Sequence, residues 1–200
     1  MKKIVWISSY PKSGNTFLRA MLSAFFYSKD GTFKQDYLKN ISEFPRDFFD
    51  FKPKNNFLNE VKEYEKVQKK ISSTDKEVIF LKTHSANLII NETFPTINKD
   101  FTVCSIYIVR DPRNVILSLK NHYNLDIKKS LSLLTNEKNF ISMNNKDLSK
   151  GYTLTLDWAS NYLSWKNQKN INTIFIKFED LVSEQEKTFK YILNKLKEFI

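Results

Sequence analysis

Cysteine is almost absent from this chain: Cys104 is the single one in 200 residues. No intrachain disulfide can form, and a reducing cytoplasm is the expected location. Glycine is nearly as scarce, with three positions, and nothing reads as a low-complexity linker. No run of about 18 apolar residues occurs, so no membrane span is expected. The N-terminal apolar run is interrupted by "SSYPKS" too soon for a secretory leader, which needs a longer apolar core and a small-residue cleavage site. Arginine is rare too: Arg19, Arg46, Arg110 and Arg113 are four of 32 basic residues. The formal net charge of +10 is compatible with a nucleic acid, an anionic lipid or a charged small ligand. Nucleic-acid binders lean on arginine for bidentate contacts, so most of the lysines read as solvated surface. No nucleic-acid partner is expected.

What is present is an alternation of strands and helices. Lys3–Ser8 reads as a strand, Ser9–Gly14 as a loop and Asn15–Tyr27 as a helix. In that helix Phe17, Leu18, Met21, Leu22, Phe25 and Phe26 form one apolar face. An aromatic stretch broken by Pro45 and Pro53 follows, then a charged helix in "FLNEVKEYEKVQKKI". "EVIFLKTH" and "CSIYIVRDP" are apolar runs of the kind found in strands buried on both faces. Pro112 opens a helix through "RNVILSLKNHY". Residues 124–151 are polar and irregular, with one short helix. "TLDWASNYLSWKNQ" is helical, "TIFIKFEDL" is a fourth strand ended by Phe178, and "EQEKTFKYILNKLKEFI" is a last helix. The pattern predicts one α/β domain over residues 1–200, a three-layer sandwich around a parallel sheet with right-handed crossovers.

In an open parallel sheet, ligands bind beyond the carboxyl ends of the strands. Lys12 to Thr16 follow the first strand, Lys82 and His84 the second, Arg110 the third, and Phe178 the fourth. Four strands thus deliver polar or aromatic residues to one edge. The first loop suits an anion: helix-start amides and the helix dipole point at it, Gly14 permits close approach, and Lys12, Ser13 and Thr16 add donors. It is not the G-x-x-x-x-G-K-[ST] loop of nucleoside triphosphatases, because the lysine precedes the glycine and the first glycine is missing. The competing reading is a plain strand-to-helix turn.

"YPKSGNTFLRAML" resembles the 5′-phosphosulfate loop of the cytosolic-type sulfotransferases, usually YPKSGTTW. "IVRDPRNVILSL" resembles their 3′-phosphate segment, with Arg110 at the strand end and Ser118 eight residues on. "LKTH" is similar to their acceptor-side lysine and histidine, and "FIKFEDL" to the strand whose aromatic residue contacts adenine. The resemblance implies the P-loop-like sulfotransferase fold. It also implies metal-free transfer of a sulfuryl group from 3′-phosphoadenosine 5′-phosphosulfate (PAPS) to a hydroxyl or amine, leaving adenosine 3′,5′-bisphosphate (PAP).

The resemblance gives each residue a role. Lys12 contacts the 5′-phosphosulfate and the leaving oxygen, and Ser13, Gly14, Asn15 and Thr16 wrap the 5′-phosphate. Phe17, in place of a usual tryptophan, and Phe178, in place of a usual tyrosine, contact adenine. Arg110 and Ser118 take the 3′-phosphate. Lys82 holds the transferring group and His84 is the base. His122 reads as structural, and Arg113 as surface or salt-bridged. The acceptor is a small molecule, lipid or glycan. Phe44, Phe48, Phe49 and Phe51 read as core more readily than as an acceptor pocket.

The chain departs from the family in one segment. It carries no R-K-G core or G-D-W ending, and no upstream T-S-F adenine contact. It reads as truncated, as completed by another chain, or as a short member with weak binding. The alternatives to an active enzyme are an impaired nucleotide-binding remnant of the family and, from another class, a P-loop kinase.

Overall fold

Six consecutive buried residues form the first strand, β1 (Ile4–Ser9). It is covered on both faces because it is the middle strand of five. The computed structural model describes residues 2–44, 57–138, 140–141 and 153–200. After β1 come helix α1 (Asn15–Tyr27), a 3-10 turn at Gln35–Asn40 and the short strand β2 (Ser42–Glu43). Then come α2 (Phe57–Ser72), β3 (Ile79–Thr83), β4 (Ile89–Ile90), β5 (Phe94–Pro95) and β6 (Thr102–Val109). α3 (Pro112–Tyr123), α4 (Ile127–Thr135), β7 (Phe140–Ile141), β8 (Thr153–Leu154) and α5 (Trp158–Asn167) follow. The chain closes with β9 (Thr173–Lys177), α6 (Phe178–Ser183) and α7 (Gln185–Phe199).

The main sheet has the order β2-β3-β1-β6-β9, and every pairing in it is parallel. β4 with β5, and β7 with β8, are separate antiparallel pairs. Alternation along the strands divides the core into two halves. Val5, Ile7, Cys104, Ile106 and Ile108 face Leu18 and Leu22 of α1, Leu181 of α6, and Ile192 and Leu196 of α7. Ile4, Trp6, Leu81 and Tyr107 face Val61 and Tyr64 of α2 and Trp165 of α5. This is the expected three-layer α/β arrangement. A third cluster joins Tyr10 to Val115, Leu119 and Leu134 of α3 and α4, where the Tyr10 hydroxyl donates to the Leu133 carbonyl at 3.0 Å.

Several expectations are corrected. Phe17, Phe25 and Phe26 of α1 are exposed, while Leu18 and Leu22 are the residues that reach the core. The buried stripe is narrower than the apolar one. The leftover rings pack on each other and on neighbours, with Phe25–Phe26 centroids 5.0 Å apart and Phe26–Phe80 centroids 5.1 Å apart. The fourth strand stops at Lys177, and Phe178 opens a helix instead of ending the strand. Glu179 and Asp180 in the first turn favour that helix start through its dipole. Phe44 is core, edge-on to Trp6 at 5.3 Å and to Tyr64 at 5.1 Å. Phe48, Phe49 and Phe51 lie outside the described residues. Arg113 is ion-paired as expected, its Nε donating to Asp111 at 3.0 Å. Among the described residues no helix is long and apolar enough to cross a membrane.

Candidate functional site

α1, which leaves β1, packs on one face of the sheet, whereas α5, on the path from β6 to β9, packs on the other. Such a divergence opens a crevice at the carboxyl ends of two adjacent strands. Here it is a pocket of about 600 Å³. Lys12, Gly14, Asn15, Thr16 and Phe17 line it from the first loop, Lys82 and His84 from β3 and its end, and Arg110, Ser118 and Phe178 from the far side. Of the residues singled out in the sequence, Ser13 is not on the pocket wall; its side chain is fully buried.

The loop has the backbone of an anion cradle. Lys12 (φ 66°) and Gly14 (φ 99°) both adopt left-handed conformations, which turn successive amides inward. The φ at Gly14 suits glycine, and a Cβ there would also lie 2.1 Å from Phe178 Cδ2. α1 begins with no side-chain cap and no acid in its first turn. By contrast, α3, α4 and α5 are capped by the carboxylates of Asp111, Asp126 and Asp157. The first amides of a helix lack partners within it; in α1 that of Phe17 is taken by the Gly14 carbonyl at 3.0 Å, and no side chain caps those of Asn15 and Thr16.

Asn15 plays a different part from the expected one. Its Nδ2 donates to the Ile7 carbonyl at 3.0 Å and to Ser9 Oγ at 3.3 Å, tying the loop's two ends together. Its side chain therefore closes the loop.

Two cations meet across the loop. Arg110 Nη1 donates to the Lys12 carbonyl at 2.9 Å, and the guanidinium lies 4.5 Å from the centre of the Phe178 ring. Arg110 Nε is buried without a hydrogen-bond partner among the described residues. Burial, and after it the Arg110 charge, lower the pKa of the Lys12 ammonium. Two like charges are thus held side by side at the pocket wall.

On the opposite wall, His84 Nδ1 donates to the Ser9 carbonyl at 2.7 Å. A neutral imidazole so held carries its proton on Nδ1 and its lone pair on Nε2. The backbone beside it is fixed by α5: Asn161 Nδ2 donates to the His84 carbonyl at 3.1 Å, and Trp165 Nε1 to the Ser85 carbonyl at 3.1 Å. Lys82 Nζ is ion-paired to Glu43 Oε2 at 2.9 Å, and both side chains are largely buried. Glu43 reaches it because β2 runs in register with β3, Glu43 opposite Lys82.

Glu43 escaped the sequence reading, since nothing in "ISEFP" separates it from a surface acid. His122, expected to be structural, lines the pocket one turn beyond Ser118. The i, i+4 spacing on a helix was the signal available for it.

The sulfotransferase domain profile matches residues 2–198. Among solved structures, a crystal structure of retinol dehydratase in a complex with retinol and PAP is similar, with 16% identity and a TM-score of 0.55 over 97% of this chain. The chain spans 60% of that protein's length. An uncharacterized protein from Eubacterium ventriosum shares 14% identity, over 97% of this chain and 99% of its own, with a TM-score of 0.46. No curated protein matches the sequence. The retinol dehydratase likeness shows a common fold, and the profile match runs through nearly the whole chain: this protein belongs to the sulfotransferase domain family.

Proposed function

We propose that the protein transfers a sulfuryl group from PAPS to a hydroxyl or amine acceptor. The observation that carries this reading is that one pocket brings together Lys12 on the α1 loop, Arg110 just beyond β6, and His84, whose Nδ1–H is held by the Ser9 carbonyl. Retinol dehydratase was crystallised with PAP, and the residues present here fit that nucleotide's chemistry. Its two phosphate positions call for two separated anion sites. The α1 loop supplies one; Arg110, with Ser118 on α3, supplies the other.

PAPS, when bound, supplies the sulfuryl group and a leaving phosphate. The chain's own residues do the rest. The amides of α1 and the Lys12 ammonium hold the 5′ end and oppose charge developing on the leaving oxygen, an electrostatic contribution that is large in a dry site. Lys82, held by its ion pair with Glu43, presents a further cation from β3. His84 Nε2 accepts the proton of the attacking hydroxyl, and the resulting imidazolium is stabilised because Nδ1–H already rests on the Ser9 carbonyl. Phe17, half exposed at the pocket edge, offers a flat surface to the adenine.

Calorimetric titration tests the reading. PAP should bind more tightly than ATP, whose phosphates do not match Arg110 and Ser118. Lys12→Ala should weaken PAP. His84→Ala should leave PAP affinity nearly intact and lower transfer roughly 10²–10⁴-fold, the usual effect of losing a general base. Equal or tighter binding of ATP by the parent chain would refute it.

A further inference from the structure

The family resemblance makes the aromatic residue at position 178 an adenine contact. The geometry points to a different role. Phe178 is a positioning residue that seats Arg110 and braces the anion loop, and so sets the preference for a 3′-phosphate. This rests on the sulfotransferase reading of the site and concerns how that site selects its nucleotide.

Three sides of the Phe178 ring are occupied by the protein. The Arg110 guanidinium lies on one face, 4.5 Å from the centroid. The Cδ2–Cε2 edge lies against Gly14, so close that a Cβ there would approach to 2.1 and 2.5 Å. Phe17 stands against it nearly perpendicular, at 80° and a centroid distance of 6.4 Å. A ring so placed is committed to the loop and to the arginine. Phe178 still lines the pocket, but Phe17 is the more exposed of the two and is the ring we assign to the base.

The consequence runs through Arg110. Its Nη1 is held by the Lys12 carbonyl and its Cζ sits over the ring, two contacts that restrict where the guanidinium can go. Arg110 lines the pocket, and its Nε is buried without a partner among the described residues, which leaves that donor available to an anion only in the orientation the ring and the loop impose. A planar fork presented in one orientation suits a phosphate. The same ring lies beneath Gly14, so the loop that receives the 5′ phosphate and the arginine that receives the 3′ phosphate share one support. The start of α6, not the end of β9, puts the ring there: Phe178 is the first residue of that helix.

The experiment compares PAP with adenosine 5′-monophosphate, which keeps the base and the 5′-phosphate and lacks the 3′-phosphate. Affinities are measured by calorimetry for the parent chain, Phe178→Leu, Phe178→Tyr, Arg110→Ala and the Phe178→Leu/Arg110→Ala double variant. The parent should prefer PAP. Phe178→Leu should lower that preference roughly five- to tenfold, the scale of a lost, partly desolvated cation–π contact. Phe178→Tyr, which keeps the ring face, should restore it. On the Arg110→Ala background, Phe178→Leu should change the preference no further.

If Phe178→Leu weakens both nucleotides by one common factor, the ring acts on the base or on general stability, and the proposal is overturned. A second measurement needs no variant. In the parent chain bound to PAP, the adenine H2 and H8 protons should show nuclear Overhauser contacts to the Phe17 ring and none to the Phe178 ring; contacts to Phe178 would overturn it. A parent chain that prefers the monophosphate, or fails to bind PAP, would refute the reading of the site itself, and the inference with it.

Discussion

Lys12 illustrates how one backbone angle and one neighbour shape the chemistry of a lysine. Its φ of 66° lies in the left-handed region, which most non-glycine residues avoid. The Arg110 hydrogen bond to its carbonyl helps to hold it there. The depressed ammonium pKa, caused by burial and then by Arg110, has a consequence of definite sign. An anion binds the protonated lysine and raises its pKa back. PAP affinity should therefore be full below the lowered pKa, decline as pH rises through it, and level off above the bound-state value. Proton uptake on binding, measured by calorimetry in two buffers of different ionisation enthalpy, should peak in that interval. Lys12→Met should abolish the uptake. A peak that survives in that variant would assign it to another group.

At the scale of elements, the contrast among helix starts is instructive. Asp111, Asp126 and Asp157 each accept an amide at their helix start, as at 2.9 Å from Ser160 to Asp157, the kind of contact worth about 1 kcal/mol. α1 forgoes such a contact and starts at Gly14. On the proposed reading, a carboxylate there would repel the 5′ phosphate. Gly14→Ala should be costly for two reasons: the φ of 99° is strained for alanine, and the Phe178 ring occupies the space of the new methyl. We expect a loss of roughly 1–3 kcal/mol in stability from the backbone strain, with a parallel loss of PAP binding. Urea unfolding and PAP titration check both; an alanine variant as stable and as tight-binding as the parent would contradict the account.

For the molecule as a whole, the parallel sheet places Cys104 on an interior strand, next to the middle one. It is fully buried on β6 among residues from α1, α6 and α7, and burial pushes its thiol pKa up to about 12. The thiolate is the reactive form, so native protein should resist iodoacetamide. Labelling across a urea series should coincide with loss of circular dichroism. Because the unfolded thiol ionises near pH 8.5 and the folded one does not, this residue's contribution to stability should fall as pH rises above that value. Rapid labelling in native buffer would mean that the sheet opens locally.

The sequence by itself determined the four long strands of the parallel sheet and the main helices between them, because apolar runs such as "CSIYIV" and the helical stripes are local patterns; the two-residue strands, β2 among them, and the separate helix α6 carry no such pattern. It also determined that Lys12, His84 and Arg110 lie at one edge, since in a parallel sheet all strand ends point the same way. Tertiary structure alone decided what those side chains meet. Asn15 turned inward to Ile7 and Ser9, Ser13 was buried, and Glu43 came to Lys82 because a two-residue strand happens to pair in register. Phe178 moved from strand end to helix start and came to rest beneath Gly14, 164 positions away in the chain. Periodicity reports which residues share a face. Partners so distant in sequence leave no trace in it, because the contact exists only once the sheet has brought their strand ends together.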